Sequence, residues 1–139
     1  MKGPLRLQLL RHEGLKFYPY KDTMGKITIG VGRNLTDEGI TREEALELME
    51  NDIVRVIKHC QDKLPFFDLL DEVRQDVLLD MTFNMGIYGV LSFKKTLKHI
   101  EKKEYALAAK EMLQSKWASQ VGERSLRLSR MMATGKREL

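Results

Sequence analysis

Residues 10–32, which read LRHEGLKFYPYKDTMGKITIGVG, contain the change from a helical to a strand-like pattern. At the start of this stretch a helical pattern ends, because leucines recur near helical spacing over residues 5–12. Gly14 follows and can provide a helix C-cap in the left-handed conformation. After Gly14, aromatic and β-branched residues are broken by turn-forming residues, and residues 22–25 favour a tight turn. The stretch therefore predicts the end of a helix followed by a small β-hairpin over residues 17–32.

The returning strand of this hairpin, residues 26–31, alternates in character. Successive side chains of a strand point to opposite faces, so Ile27, Ile29 and Val31 share one face. Thr28 is expected on the other face, away from these apolar neighbours.

From Thr41 onward the pattern is helical. Thr41 and Glu44 have the spacing of a capping box, in which each side chain binds the other residue's backbone N–H. The helix that they begin is predicted to be the longest one and to reach Cys60, before a break at Pro65. Its apolar stripe has a period of 3.6 residues and consists of Ala45, Met49, Ile53, Val56, Ile57 and Cys60.

The rest of the sequence predicts several shorter helices. Asp71 is expected to cap a helix that ends at Gly86, and Ser92 is expected to cap the next one. The predicted helices cover residues 71–85, 93–100, 103–114 and 122–133, and Thr134 and Gly135 close the last of them.

These elements predict a single α+β domain over residues 1–139 that is predominantly α-helical. A small β-hairpin lobe is expected over residues 13–40, and a connecting helix over residues 41–60. A helical bundle is expected over residues 61–139, with the N-terminal helix packed on it.

Composition and charge restrict the classes of protein. A chain of 139 residues with 42% hydrophobic and 32% charged residues is suited to a stable core and not to disorder. Cys60 is the one cysteine, cannot form an internal disulfide and is expected to be a buried apolar thiol. No stretch has the pattern of a signal peptide or a membrane span, so we expect synthesis in the cytoplasm and not an integral membrane protein. The net charge of +4 favours a polyanionic partner, whether nucleic acid, anionic membrane or bacterial wall.

Three side chains of the hairpin region have the chemistry of glycoside hydrolysis. That reaction needs a proton donor for the leaving oxygen and a second carboxylate that activates water, attacks the sugar or stabilises its positive charge. Glu13 suits the first role if apolar surroundings keep it protonated, and a wetter Asp22 suits the second. Thr28 follows on the returning strand and can hold a water through its hydroxyl. Each residue alone also has an ordinary explanation, as a helix-terminal charge, a turn former and a strand residue.

The motifs around these residues resemble the catalytic region of phage-type (T-even-like) lysozymes, glycoside hydrolase family 24. The motifs are LRHEG at 10–14, YKDTMG at 20–25 and TIGVG at 28–32, and the resemblance continues through TFNMG at 82–86, GVLSF at 89–93, SKW at 115–117 and TG at 134–135. It implies a lysozyme-like fold and an endo-acting muramidase that cleaves β-1,4 bonds between N-acetylmuramic acid and N-acetylglucosamine in peptidoglycan. In such an enzyme Glu13 is the acid, Asp22 the second carboxylate and Thr28 a water-positioning residue, and family likeness favours inversion of the anomeric centre.

The same resemblance implies four substrate-binding residues, Asn34, Phe83, Thr96 and Glu111. An aromatic ring can cover the apolar face of a sugar, although Phe83 equally suits a helical core position. The three polar residues also suit an ordinary solvated surface. Trp117 is expected to pack in the core or between lobes rather than to bind sugar.

Two features depart from the family pattern. Arg33 stands where many relatives have histidine, and it can pair with Asp52 in the long helix or remain a surface arginine. Residues 34–40 are a short connection to that helix, which puts distant sugar subsites in doubt.

Two other functions compete with the one that the lysozyme resemblance implies. Arg124, Arg127 and Arg130 repeat along the last predicted helix, which suits a nucleic-acid-binding protein but leaves the hairpin unexplained. A relative that binds the wall without cleaving it is a second alternative. The three histidines lack zinc-like spacing. We therefore expect a monomer without metal or other cofactor that binds peptidoglycan glycan strands, not nucleic acid, and reaches the wall after release from the cell.

Overall fold

A computed structural model describes residues 2–138 of the chain. Within that range it contains seven α-helices, a three-stranded antiparallel sheet and one 3-10 turn, so the predicted, predominantly helical α+β fold is confirmed. The chain divides into two units, Met1–Leu48 and Met49–Leu139. The sheet lies in the first unit, and the last five helices lie in the second.

The first unit contains one helix, the sheet and the start of a second helix. These elements are α1 (Gly3–Glu13), β1 (Lys16–Lys21), β2 (Ile27–Gly30), β3 (Arg33–Asn34) and the first turns of α2 (Arg42–Lys63). The strand order is β1-β2-β3 with antiparallel neighbours, and a register irregularity lies between Lys16 and Tyr20. Gly14 ends α1 at the predicted position, and its N–H donates to the Leu10 carbonyl at 2.9 Å. Its φ is positive, 75°, but its ψ of −179° is extended, so the predicted left-handed cap conformation is wrong.

The turn predicted at residues 22–25 closes the β1–β2 hairpin. The N–H of Asp22 donates to the Lys26 carbonyl at 2.9 Å, and the N–H of Gly25 donates to the Asp22 carbonyl at 3.0 Å. Gly25 has φ 78°, a value that glycine adopts without steric cost. The predicted hairpin is therefore confirmed.

The two faces of β2 are covered to different extents. Ile27 is 39% exposed, whereas Thr28 is only 3% exposed. The alternation of side chains is present, but the covered face is the one that contains Thr28. Alternation shows which residues share a face, and the rest of the fold decides which face is covered.

The second unit is formed by the remainder of α2 and five further helices. They are α3 (Glu72–Leu91), α4 (Lys94–Glu101), α5 (Tyr105–Leu113), α6 (Lys116–Val121) and α7 (Glu123–Thr134), with a 3-10 turn at Phe67–Leu69. Gly86, where φ is 81° and ψ is 162°, ends the helical conformation as predicted, and a second helical stretch then runs to Leu91 within the range of α3. The short helix α6 was not predicted. Ser115 caps it by accepting a hydrogen bond from the N–H of Ala118 at 3.2 Å.

Two of the three predicted N-terminal helix caps are confirmed. Thr41 and Glu44 form the reciprocal capping box, with N–H to side-chain distances of 2.8 and 3.1 Å. The Asp71 carboxylate accepts from the N–H of Arg74 at 3.1 Å. The Ser92 cap is wrong, because its hydroxyl donates back to the Gly89 carbonyl at 2.6 Å and helps to end α3.

The hydrophobic core of the second unit is formed by side chains from α2 to α7 and from the 3-10 turn. Cys60 is fully buried in it, which raises the pKa of the thiol and confirms the predicted buried thiol. Trp117 is also buried, packs edge-on against Phe93, and donates from its ring N–H to the Asn84 side chain at 2.8 Å. The prediction that Trp117 is a core residue is confirmed. The largest fully buried side chains are Leu78, Met81, Ile100, Met112, Met132, Val77, Val90, Cys60 and Ser125.

Arg74 joins the start of α3 to the end of α7. Its guanidinium donates to the carbonyls of Met132 and Ala133 at 2.7 and 3.1 Å and to the Asp71 carboxylate at 3.0 Å. It also lies 3.7 Å from the ring centre of Tyr105. These charge-assisted bonds satisfy carbonyls that the helix end leaves without intrahelical partners.

Candidate active site

The side chain of Glu13 lies against the backbone of Gly32. A β-carbon placed on Gly32 would lie 2.8 Å from Glu13 Oε2 and 2.9 Å from its Cδ, which is closer than such contacts normally come. Gly32 also has φ 71°, in the region that favours glycine. The last residue of α1 is thus directed to the chain segment that follows β2.

Asp22 has a structural role in its own turn. Its Oδ1 accepts hydrogen bonds from the N–H groups of Met24 and Lys26, both at 2.8 Å. The two bonds use one carboxylate oxygen and fix the plane of the group, while Oδ2 takes part in neither. The side chain therefore has both a turn-forming contact and an oxygen available for chemistry.

Thr28 is the central residue of the three-stranded sheet. It lies opposite Tyr20 in β1 and opposite Asn34 in β3, and its hydroxyl donates to the Lys26 carbonyl at 3.0 Å. Directly opposed residues lie on the same face of a sheet, so Tyr20, Thr28 and Asn34 share one face. Asp22 is the first residue after β1, two positions beyond Tyr20.

The environments of the two carboxylates are the reverse of the expectation. Glu13 is exposed, whereas Asp22 is half-buried. The expected apolar surroundings of Glu13 are wrong, because the residue ends a helix and packs against a glycine without a side chain. Asp22 is partly covered because it binds the backbone of its own turn.

Asn34 makes two local contacts with Asp37. Its side-chain amide donates to the Asp37 carboxylate at 2.9 Å, and its oxygen accepts from the N–H of Asp37 at 3.0 Å. Lys26 lies 3.3 Å from the same carboxylate. The amide of Asn34 therefore has an ordinary turn-forming role, and its proposed contact with glycan stays a prediction.

Arg33 pairs with Glu44 rather than with the predicted Asp52. Two guanidinium nitrogens donate to the two Glu44 oxygens at 2.7 and 2.8 Å, and one also donates to the Gly39 carbonyl at 3.2 Å. Asp52 instead pairs with Arg55 on its own helix. The bidentate contact with Arg33, aided by the backbone N–H of Thr41, lowers the pKa of Glu44 to about 2.

This contact predicts an acid-dependent loss of stability. The pKa of Glu44 is lower in the folded chain than in the unfolded chain, so its contribution is complete above about pH 4.5 and disappears as the pH falls towards about 2. In urea titrations we expect the stability difference between the parent and Glu44→Gln to shrink over that range. Glu47→Gln, an exposed change one turn later, is the matched control. A difference that stays constant down to pH 2 would contradict the prediction.

In the second unit, Phe83 lines a cavity of about 400 Å³ whose wall contains both apolar and charged side chains. Its side chain is 47% exposed, so the alternative of a core position is wrong. Met49, Ile53 and Leu79 line the same cavity. The ring is accessible to a ligand there.

Thr96 and Glu111 line a different cavity of about 710 Å³ in the same unit. Thr96 is buried and Glu111 is half-buried, so neither is the solvated surface residue of the alternative interpretation. Trp117 and Lys94 also contribute to the wall of this cavity. The structure thus brings two of the predicted substrate-binding residues together and places Phe83 in a separate cavity.

Two contributions to the site were not predicted from the sequence. Gly32 accommodates the Glu13 carboxylate, and the backbone N–H of Lys26 holds Asp22. The two closely spaced glycines at positions 30 and 32 were the sequence signal for the contact with Glu13. The hydrogen bond from the Lys26 N–H had no sequence signal, because almost every residue has a backbone N–H.

The structure also bears on metal binding and membrane insertion. Among residues 2–138, no three His, Cys, Asp or Glu side chains lie close enough together to hold a metal ion. No helix in this range combines the length and the apolar character needed to cross a bilayer.

Comparison with known proteins gives a consistent family match. A model of the phage lysozyme family matches residues 10–133. Two proteins of Dictyostelium discoideum, Probable T4-type lysozyme 1 and Probable T4-type lysozyme 2, are each 32% identical over 97% of this chain and 96% of their own length. The Pre-baseplate central spike protein Gp5 of Enterobacteria phage T4 is 31% identical over 94% of this chain and 28% of that protein. The matched range contains all seven predicted site residues.

Proposed function

We propose, from the premise that this chain belongs to the phage lysozyme family, that it hydrolyses the β-1,4 bond between N-acetylmuramic acid and N-acetylglucosamine in bacterial peptidoglycan. Family membership supports a lysozyme-like glycosidase. The observation that carries the more specific proposal is the packing of the Glu13 carboxylate against Gly32, directly after the strand that contains Thr28.

Glu13 is the proposed general acid. It gives its proton to the glycosidic oxygen as the bond to the leaving sugar breaks. The carboxyl group is exposed in the free chain, so it is accessible to the oxygen of a bound glycan.

Asp22 is the proposed second carboxylate. The N–H donors of Met24 and Lys26 fix its Oδ1, which leaves Oδ2 to activate water or to stabilise positive charge on the sugar. Thr28 is the proposed water-positioning residue. Its hydroxyl proton is used by the Lys26 carbonyl, so its lone pairs accept a hydrogen bond from water and orient that water.

We propose an inverting reaction, in which the water attacks the sugar face opposite the leaving group. Inverting glycosidases separate their two carboxyl groups by about 6.5–9.5 Å to admit this water. No cofactor takes part in such a reaction, because both proton transfers are made by side chains. The proposed enzyme is a monomer that acts on the wall after release from the cytoplasm.

The four remaining residues are proposed glycan contacts. The exposed ring of Phe83 offers its face to a sugar, and Thr96 and Glu111 offer polar groups in their shared cavity. Asn34 is the weakest of the four, since Asp37 already binds both ends of its amide.

The nucleic-acid-binding alternative loses support from the ion pairs of α7. Arg124 pairs with Asp80, and Arg130 pairs with Glu138 at 2.8 Å. These carboxylates neutralise two of the three arginines that suggested a basic face. Such a face would bind phosphates poorly, because its charges are already compensated.

Analysis of reaction products tests the proposed bond. Purified peptidoglycan is incubated with the protein, the soluble fragments are reduced, and their ends are identified by mass spectrometry. We expect reduced muramic acid at the new ends in the mass spectra. NMR spectra of the unreduced products, recorded early in the reaction, should show the inverted anomer first. Reduced glucosamine ends, or cleaved peptide stems, would contradict the proposal. Binding without any new reducing end would indicate a wall-binding relative that lacks catalysis.

A further inference from the structure

The positive charge of the chain is concentrated at its beginning. Six of the 24 Lys and Arg residues, but only two of the 20 Asp and Glu residues, lie within residues 1–30. The rest of the chain has equal numbers of each, so the whole net charge of +4 belongs to this segment. Its two carboxylates are Glu13 and Asp22, and the remaining charged groups of the segment are therefore all cationic.

Two large aromatic side chains protrude from the same segment. Phe17 is 77% exposed and Tyr18 is 82% exposed, although neighbours along a regular strand point to opposite faces. The register irregularity between Lys16 and Tyr20 interrupts that alternation at this point. Both residues lie on β1, which is an edge strand of the sheet, and exposed Lys16 and Lys21 flank them.

We propose that this aromatic–basic edge, defined as residues 16–18 together with Lys21, is an accessory binding surface for anionic peptidoglycan strands. The proposal rests on the proposed function. Aromatic rings cover the apolar faces of sugars, and lysine ammonium groups pair with the carboxylates of the peptide stems. Exposed aromatic rings beside uncompensated cations fit a polymer that is both saccharide and anionic.

The position of the edge favours a glycan over a lipid surface. Strand β1 leads directly into Asp22, so a strand of sugars bound along it passes towards the proposed second carboxylate. At about 3.3 Å per strand residue, Tyr18 and Asp22 are about 13 Å apart along the chain. The surface thus holds the polymer beside the point of cleavage. Its effect on hydrolysis is largest with insoluble wall, because the protein binds that material again after each cleavage.

The test is binding to insoluble peptidoglycan freed of teichoic acid, measured by co-sedimentation. All chains contain Glu13→Gln so that the wall is not digested. We expect Phe17→Ala/Tyr18→Ala to raise the dissociation constant about tenfold, since two stacking rings are lost. Tyr88→Ala on α3 is the matched control, because Tyr88 is also a 74% exposed aromatic residue. Unchanged thermal unfolding of each variant shows that the fold is intact.

A second measurement separates this surface from the catalytic proposal. In the active chain we expect the double variant to lose more activity on insoluble wall than on short soluble glycan fragments, while Tyr88→Ala changes neither. Wall binding equal to that of the parent would overturn the accessory surface. The proposal would also be overturned if the double variant lost binding only to phosphatidylglycerol vesicles, because the edge would then bind a lipid surface. If the proposed hydrolysis fails, the active parent releases no muramic acid ends, and the sedimentation result still decides the binding surface.

Discussion

Replacing Glu13 with glutamine is expected to reduce the rate of peptidoglycan hydrolysis about a thousandfold, in the range that a general acid contributes. Glutamine has nearly the same shape but cannot give a proton to the leaving oxygen. Because Glu13 is exposed, the free energy of unfolding should change by less than about 0.5 kcal/mol. The rate is measured from the appearance of reducing ends, and stability from urea unfolding.

The control for this change is Glu43→Gln, an equally conservative replacement of an exposed glutamate at the start of α2. We expect it to retain the parental rate. A Glu13→Gln chain with near-parental turnover would show that another group supplies the proton. Loss of activity together with loss of folded structure would instead assign Glu13 a structural role.

Replacing Gly32 with alanine is expected to reduce activity about a hundredfold while the chain still folds. The added β-carbon would lie 2.8 Å from Glu13 Oε2, and the carboxylate is the group that can move, because it is the far end of a flexible side chain. Displacement of a catalytic group by about 1 Å can cost about two orders of magnitude in rate. The positive φ of Gly32 adds a destabilisation of about 1–2 kcal/mol.

Gly39 offers a control that separates these two effects. It also has a positive φ, 61°, but a β-carbon there would meet no atom within 4 Å. Gly39→Ala should therefore lose a similar amount of stability and keep its activity. If both variants lose activity equally, backbone strain explains the result and the contact with Glu13 does not matter.

The features that the sequence predicted correctly have partners close along the chain. The capping box joins Thr41 to Glu44, and the hairpin turn joins Asp22 to Lys26. A side chain and a backbone group three or four residues apart meet in few backbone conformations, so the residue types alone are informative. Ser92 shows the limit of this reasoning, since its hydroxyl bonds to the preceding helix instead of the following one.

Predictions that depended on the path of the backbone were less successful. Glu44 and Asp52 are both acidic residues of α2, and the sequence offered no means of choosing between them as the partner of Arg33. The chosen carboxylate already caps its helix, which holds it in place for the bidentate contact. The helix α6 was missed for a related reason, because six residues are too few to show a periodic pattern.

Most of the helices and strands, the family and the candidate residues could be recognised from residue order alone, because motifs and caps depend on residues that are close along the chain. The packing of these elements was needed to show that Glu13 lies on Gly32, that the Thr28 face of β2 is covered, and that Thr96 and Glu111 share a cavity without Phe83. These relations join residues that are distant along the chain or depend on what covers a surface. Their distances follow from how the elements pack, which residue order alone does not specify.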